Sequence, residues 1–112
     1  MHHLRGMELR YVLTMQLCNH GRSTIQDLVE ALAFHGFDVD RPAGKAVSDA
    51  LRWERRRGRV RRLARGVYGP GGMPRGTEHR IHRRVLALRA AANRSEAGTT
   101  TSPPAATERF GR

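Results

Sequence analysis

The sequence lacks the features that mark secreted, disulfide-bonded and membrane proteins. Cys18 is the single cysteine among 112 residues, so no disulfide can form within the chain, and we expect a reduced cytoplasmic setting with Cys18 as a small core residue. No run approaches the roughly 18 apolar residues that a membrane span requires. The N-terminus has no apolar stretch that leads to a small-residue cleavage site. We therefore expect a protein that stays inside the cell and contacts no membrane.

Signatures of catalysis and of metal binding are missing as well. The sequence has no Ser-His-Asp arrangement, no phosphate-binding loop and no paired carboxylates, and the chain is short for housing a substrate cavity. His79 and His82 have a spacing compatible with metal binding, but no carboxylate or cysteine near them completes a site of three or four ligands. We therefore expect no enzymatic activity, no metal, no cofactor and no small-molecule ligand.

Arginine is the residue that the sequence has in excess. There are twenty arginines and one lysine, and the formal net charge is +11. Residues 1–51 carry five basic and six acidic side chains, whereas residues 52–94 carry fourteen arginines and two acidic side chains. A GC-rich genome favours arginine, and so does the binding of phosphate and guanine. The concentration of charge in one stretch indicates a polyanionic partner, with nucleic acid ahead of an anionic membrane surface.

Apolar spacing predicts two helices in the first third of the chain. The first covers residues 7–20 and is stopped by Gly21. The second opens with a capping-box pattern, Ser23 followed by Gln26, and ends near Gly36. The apolar residues that carry this prediction are Leu9, Val12, Leu13 and Leu17 in the first helix, and Ile25, Leu28, Val29 and Leu32 in the second.

A third helix is predicted over residues 45–57, where no helix breaker occurs before Gly58. Pro42 suits the first turn of this helix. Its inner stripe is formed by Val47, Ala50 and Leu51. The next position of the stripe is Glu54, so either the helix phase shifts and Trp53 turns inward to seal the core, or Glu54 is a surface residue.

A β-hairpin and a linker are predicted next. Residues 59–63 and 67–69 have the composition of two short strands, and residues 64–66 between them include Gly66, which accepts a positive φ. Residues 71–76 lie in the run GPGGMPRG, whose glycines and prolines cannot hold regular structure. This stretch is therefore interpreted as a linker.

A fourth helix is predicted over residues 77–93, with Thr77 as its cap. Its apolar residues recur at steps of four, three and four, which is typical of a helix that packs on a partner. These residues are Ile81, Val85, Leu88 and Ala92. Residues 94–112 are too polar to offset the entropy of ordering and are expected to be disordered, and residues 1–6 are expected to be flexible.

The order of three helices and a hairpin over residues 7–70 resembles the winged helix-turn-helix family. The stretch STIQDLVEALAFHGF is similar to the second helix of that family, KAVSDALRWERRRGRV to its recognition helix and first wing strand, and RRLARGVYG to the wing. The resemblance implies a mainly helical fold with a small β-hairpin, namely a three-helix core plus wing, followed here by a C-terminal helix. Family members usually carry an aliphatic residue where this chain has Glu54, so the third helix departs from the family pattern at this position.

The resemblance also implies which residues contact duplex DNA. The third helix would enter the major groove with the side chains that face away from its apolar stripe, and Arg52 is the preferred base reader. The wing would lie beside the backbone or in the adjacent minor groove. The candidates are Lys45, Ser48, Asp49, Arg52, Arg55 and Arg56 on the helix, and Arg59, Arg61, Arg62 and Arg65 on the wing.

The predicted function is that of a bacterial transcriptional regulator or nucleoid-associated factor that binds double-stranded DNA. Two alternatives stay open: a basic protein associated with RNA or the ribosome, and an interaction module such as a winged-helix antitoxin, whose wing ends in a comparable RGVY. We expect a homodimer that pairs through Ile81, Val85 and Leu88 of the fourth helix. The alternative is that this seam covers the first helix of its own domain.

Overall fold

The computed structural model describes the backbone of residues 2–100 and the side chains of residues 2–94. Within that part the protein is mainly helical with a small antiparallel sheet, as the sequence predicts. The helices are α1 (Gly6–His20), α2 (Ile25–Phe34), α3 (Ala43–Arg56) and α4 (Arg75–Thr100). The strands are β1 (His2–Leu4), β2 (Ser23–Thr24), β3 (Phe37–Val39), β4 (Val60–Ala64) and β5 (Val67–Pro70). None of the described helices is long and apolar enough to cross a membrane.

The antiparallel sheet has the strand order β2-β5-β4. Strands β4 and β5 form the predicted hairpin, and Gly66 in its turn has φ 71°, which explains the need for glycine. Strand β2 was not predicted, because two residues are too few to show an alternating pattern. It pairs Ser23 with Tyr68 and Thr24 with Val67, and so attaches the hairpin to the start of α2.

The cap of α2 differs from the prediction by one residue. Thr24 is the N-cap: its hydroxyl accepts a hydrogen bond from the Asp27 backbone N–H at 3.0 Å, and the Asp27 carboxylate accepts one from the Thr24 N–H at 3.0 Å. The predicted pair of Ser23 and Gln26 is wrong, because Ser23 belongs to β2 and its hydroxyl donates to the Gly21 carbonyl at 3.2 Å. The Gln26 amide donates instead to Glu30.

Residues 2–4, which lie in the segment 1–6 that the sequence predicts to be flexible, form strand β1. Strand β1 pairs in parallel with β3, in a register that places His2 opposite Phe37 and Leu4 opposite Val39. Leu4 is fully buried. This pairing joins distant parts of the chain, and it orders the connection between α2 and α3.

Helix α1 lies at the centre of the fold and packs against α2, α3, α4 and β5. Residues on several sides of α1 are therefore buried. The core also includes Phe37 and Val39 from β3, and Val60 and Tyr68 from the hairpin. Cys18 is half-buried against this core, and burial raises the pKa of its thiol. Its position agrees with the expected role as a small core residue.

Helix α4 covers α1 with the seam that the sequence identifies. Ile81 and Val85 are 0% and 1% exposed within a single chain, and Leu88 is 6% exposed. The seam therefore covers the first helix of its own domain, which is the alternative stated above, and a homodimer stays a prediction. The helix begins at Arg75, inside the predicted 71–76 linker, and continues to Thr100, through part of the segment expected to be disordered. Residues 101–112 of that segment lie outside the described residues.

Candidate nucleic-acid interface

Helix α3 has two opposite faces, one buried and one exposed to solvent. Val47, Ala50, Leu51 and Glu54 are buried and form a continuous stripe. At 100° per residue, the predicted helix candidates occupy an arc of about 120° on the opposite side. They are Lys45, Ser48, Asp49, Arg52, Arg55 and Arg56, of which the lysine and the three arginines are exposed. The structure thus brings all six together on one face.

Glu54 is a fully buried carboxylate, so neither of the two alternatives considered for the phase of α3 is correct. The buried face of α3 does continue at position 54, where the residue is a glutamate, and Trp53 is 51% exposed to solvent. Glu54 is accommodated because its charge is fully partnered. Its Oε1 accepts a hydrogen bond from the Thr14 hydroxyl at 2.7 Å, and Nε of Arg10 lies 3.4 Å from its Oε2. A buried charge with several partners avoids the penalty that an isolated carboxylate would meet.

Arg59 is the principal partner of Glu54 and is therefore removed from the predicted interface. Its Nε donates to Oε1 at 2.7 Å and its Nη2 donates to Oε2 at 2.8 Å. The side chain is 14% exposed, and it also lies over the Tyr11 ring at 5.7 Å. The hydrogen bond to Glu54 raises the pKa of the Arg59 guanidinium. Arg59 connects the end of α3 to β4, and it presents little surface to a ligand.

The close approach of two backbone segments also fixes the base of the hairpin. The Gly71 N–H donates to the Arg59 carbonyl at 2.9 Å. A side chain at position 71 would overlap the carbonyl oxygen of Gly58 and come within 3.0 Å of the Val60 nitrogen. Only glycine fits there. The chain just after β5 therefore lies directly against the chain just before β4.

Trp53 borders the exposed face of α3 between two arginines. The guanidinium carbon of Arg10 lies 5.8 Å from the ring centroid, and that of Arg56 lies 5.4 Å from it. Cation–π contacts of this kind restrict the guanidinium groups without neutralising them. Trp53 consequently positions Arg56 at the edge of the face.

Asp49 is the acidic member of the exposed face and lies between two cations. Its Oδ2 accepts a hydrogen bond from the Lys45 ammonium at 2.9 Å, and Arg52 Nη2 is 3.9 Å from Oδ1. The hydrogen bond from Lys45 lowers the pKa of the Asp49 carboxyl. The N-terminal half of the face is thereby close to charge balance, whereas its C-terminal half is strongly positive.

The hairpin extends the positive face beyond the end of α3. In β4 only Val60 is buried, and Arg61, Arg62 and the turn residue Arg65 are exposed. Arg62 lies opposite Tyr68 and Arg61 opposite Gly69, so the two side chains leave from opposite faces of the strand pair. Three of the four predicted hairpin arginines are therefore accessible, on both sides of a projecting hairpin.

Several exposed arginines of this surface have no intramolecular counter-ion. Among the side chains of residues 2–94, no carboxylate lies within 4.0 Å of them. They are Arg55, Arg56, Arg57, Arg61, Arg62 and Arg65. Arg57 was not among the predicted candidates, although it belongs to the same dense run of arginines. The α3–hairpin surface is defined as the face of α3 opposite its buried stripe together with four arginines that follow it: Lys45, Ser48, Asp49, Arg52, Arg55 and Arg56 on α3, and Arg57, Arg61, Arg62 and Arg65.

The comparisons with known proteins assign no family to the chain. No family model, curated protein or solved structure matches it. Within residues 2–94, no group of three or more His, Cys, Asp or Glu side chains is placed to hold a metal ion.

Proposed function

We propose that the protein binds double-stranded DNA through the α3–hairpin surface, in the manner of a winged helix-turn-helix domain. The observation that carries the proposal is the division of α3 into a buried stripe and an exposed basic face that continues onto the hairpin. The order α1, β2, α2, β3, α3, β4, β5, with β2 completing the antiparallel sheet, supports the same interpretation. An α-helix fits the major groove, and a hairpin beside it can contact the backbone.

The charges of α3 suggest a division between base contacts and phosphate contacts. Asp49 would repel phosphate, so its part of the helix is better suited to the floor of the groove than to the backbone. Arg52 lies next to it, with its Nη2 3.9 Å from Asp49 Oδ1, and a guanidinium can make a two-point contact with guanine. We therefore assign Arg52 to base reading.

The arginines without carboxylate partners are suited to phosphates. Arg55, Arg56 and Arg57 lie at the C-terminal end of α3, and Arg61, Arg62 and Arg65 project with the hairpin. If about six phosphates are neutralised, the logarithm of the binding constant falls with the logarithm of salt concentration at a slope of about −5. A large part of the affinity is then independent of sequence.

Fluorescence anisotropy with a labelled duplex, competed by unlabelled duplex DNA and by structured RNA of equal length, tests the proposal. The expected result is displacement by duplex DNA at lower concentration than by RNA, with a salt slope near −5. A-form RNA has a deep and narrow major groove that does not admit a helix, which is the reason for the difference. Equal or stronger displacement by RNA, or an absence of binding to duplexes in dilute salt, would overturn the proposal.

A further inference from the structure

The outward face of α4 carries a second group of exposed cations. Counted at 100° per residue from Ile81 in the buried seam, Arg80, Arg83 and Arg94 lie within an arc of about 60° on the far side of the helix. All three are exposed. His79 and Arg75 are exposed beside them. We call Arg80, Arg83 and Arg94 the α4 surface.

The exposed arginines of α4 differ in whether they form an ion pair within the protein. Arg84 Nη2 donates to the Glu8 carboxylate at 2.6 Å, which ties α4 to the start of α1. By contrast, no carboxylate among the side chains of residues 2–94 lies within 4.0 Å of Arg80 or Arg83. Like charges on one helix face repel one another, so this arrangement is favoured when a polyanion lies against it.

The α4 surface and the α3–hairpin surface point in different directions. The polar contacts of α1 with α3 and with α4 come from different residues of α1. Arg10 and Thr14 contact Glu54 of α3, and two further residues contact α4. Those two are Glu8, paired with Arg84, and Met15, whose Sδ lies 3.4 Å from His82 Nδ1. Around the axis of α1 the two pairs are about 130° apart. Since α3 and α4 each turn a buried stripe inward, their exposed faces diverge.

We propose that the α4 surface binds the phosphate backbone of a second DNA duplex, so that one chain bridges two DNA segments. This inference rests on the proposed function of the α3–hairpin surface. Helices α3 and α4 contact α1 at positions about 130° apart around its axis, so a straight duplex seated on α3 lies away from the outward face of α4. Arg80 and Arg94 are fourteen residues apart on α4, so the α4 surface is about 21 Å long, which spans several phosphates of one DNA strand.

The contacts expected at the α4 surface are to phosphates and not to bases. Exposed arginines separated by alanines, as at Ala87, Ala90 and Ala91, present charge without side chains that could read base edges. Binding of the second duplex should consequently be independent of sequence and more sensitive to salt than to base composition.

A capture assay tests the bridging of two duplexes. One duplex is immobilised on beads, the full chain is added, and retention of a second, fluorescent duplex is measured. The double substitution Arg80→Gln with Arg83→Gln should reduce this capture at least about fivefold, because two phosphate contacts are removed. Its affinity for a short duplex free in solution, measured by anisotropy, should stay within about twofold of the original chain because the α3–hairpin surface is intact.

A matched control removes the same charge elsewhere. Arg5→Gln with Arg22→Gln alters two exposed arginines outside both surfaces, and this variant should retain capture. If the original chain binds single duplexes but captures no second one, the bridging proposal fails and the proposed function stands. If it binds no duplex at all, both fail. Capture that survives the Arg80 and Arg83 substitutions would also overturn the proposal, and it would indicate two α3–hairpin surfaces joined in a dimer, which sedimentation would detect.

Discussion

The carboxylate of Glu54 and the guanidinium of Arg59 form a two-point contact inside the protein, with N–O distances of 2.7 and 2.8 Å. Glu54 is fully buried and Arg59 nearly so. The contact joins the last turn of α3 to Arg59, the residue immediately before β4, and so it helps to determine where the hairpin lies relative to the helix.

Breaking this contact should destabilise the fold strongly. Glu54→Gln leaves Arg59 without its buried counter-charge, and Arg59→Ala leaves Glu54 without its main donor. Each change should lower the free energy of unfolding by about 3–5 kcal/mol, measured by urea denaturation. Arg61→Ala, two residues further along the chain and exposed, is the matched control and should change it by less than about 0.5 kcal/mol. Similar stabilities for the Arg59 and Arg61 variants would contradict the assignment.

Separate roles for Arg52 and the hairpin should be visible in DNA affinities. Arg52→Ala should reduce discrimination between a preferred duplex and its variants by about 1–3 kcal/mol. The double change Arg61→Ala with Arg62→Ala should weaken all duplexes alike and make the salt slope shallower by up to about two units. Gel shifts at graded salt concentrations measure both quantities. If the two variants changed the discrimination between duplexes and the salt slope by the same amounts, the division between base and phosphate contacts would be refuted.

Gly71 should tolerate no side chain. The methyl group introduced by Gly71→Ala would overlap the Gly58 carbonyl at the base of the hairpin, and the expected loss of stability is about 1–3 kcal/mol. Gly72→Ala is a close control, because a Cβ at position 72 meets no atom within 4 Å. Thermal and urea unfolding of the two variants provide the comparison, and equal stability would show that the strands can separate at little cost.

His35 should make stability depend on pH. Burial, followed by the nearby charges of Arg89 and His20, lowers the pKa of His35 below its ordinary value of 6.5. The unfolded chain therefore binds this proton more tightly than the folded chain. The contribution is complete above about pH 6.5 and is lost as the pH falls toward the lower folded pKa.

His35→Gln removes the titrating group and should reduce the loss of stability between about pH 7.5 and pH 5. Urea unfolding of both chains at the two pH values gives the difference directly. A loss of the same size in the variant would assign the acid sensitivity to other groups.

The sequence predicts the helices well because their signal is local and periodic. The stripe of Val47, Ala50 and Leu51 predicts the correct inward face of α3, and the predicted helix candidates lie on the opposite face. The prediction fails at Glu54, since residue type alone marks a carboxylate as a surface group. Its burial depends on Thr14, Arg10 and Arg59, which the fold brings together from separate parts of the chain.

Pairing between distant segments is the part that the sequence does not reveal. Strand β1 has three residues and one apolar side chain, so it carries no recognisable pattern, and only its pairing with β3 makes it a strand. The seam of α4 shows a related ambiguity. Its spacing predicts an apolar surface that another helix covers. The spacing does not distinguish a helix of a second copy from α1 of the same chain.

The anchoring of the hairpin by Glu54 and Arg59 has a consequence for the kinetics of association. If the protein binds DNA as proposed, a hairpin that is already held in place needs no ordering step when it meets the duplex, so the association rate should be set by diffusion and long-range attraction. Lower ionic strength should then increase the association rate with a duplex. Differences in affinity between DNA sequences should lie mainly in the dissociation rate.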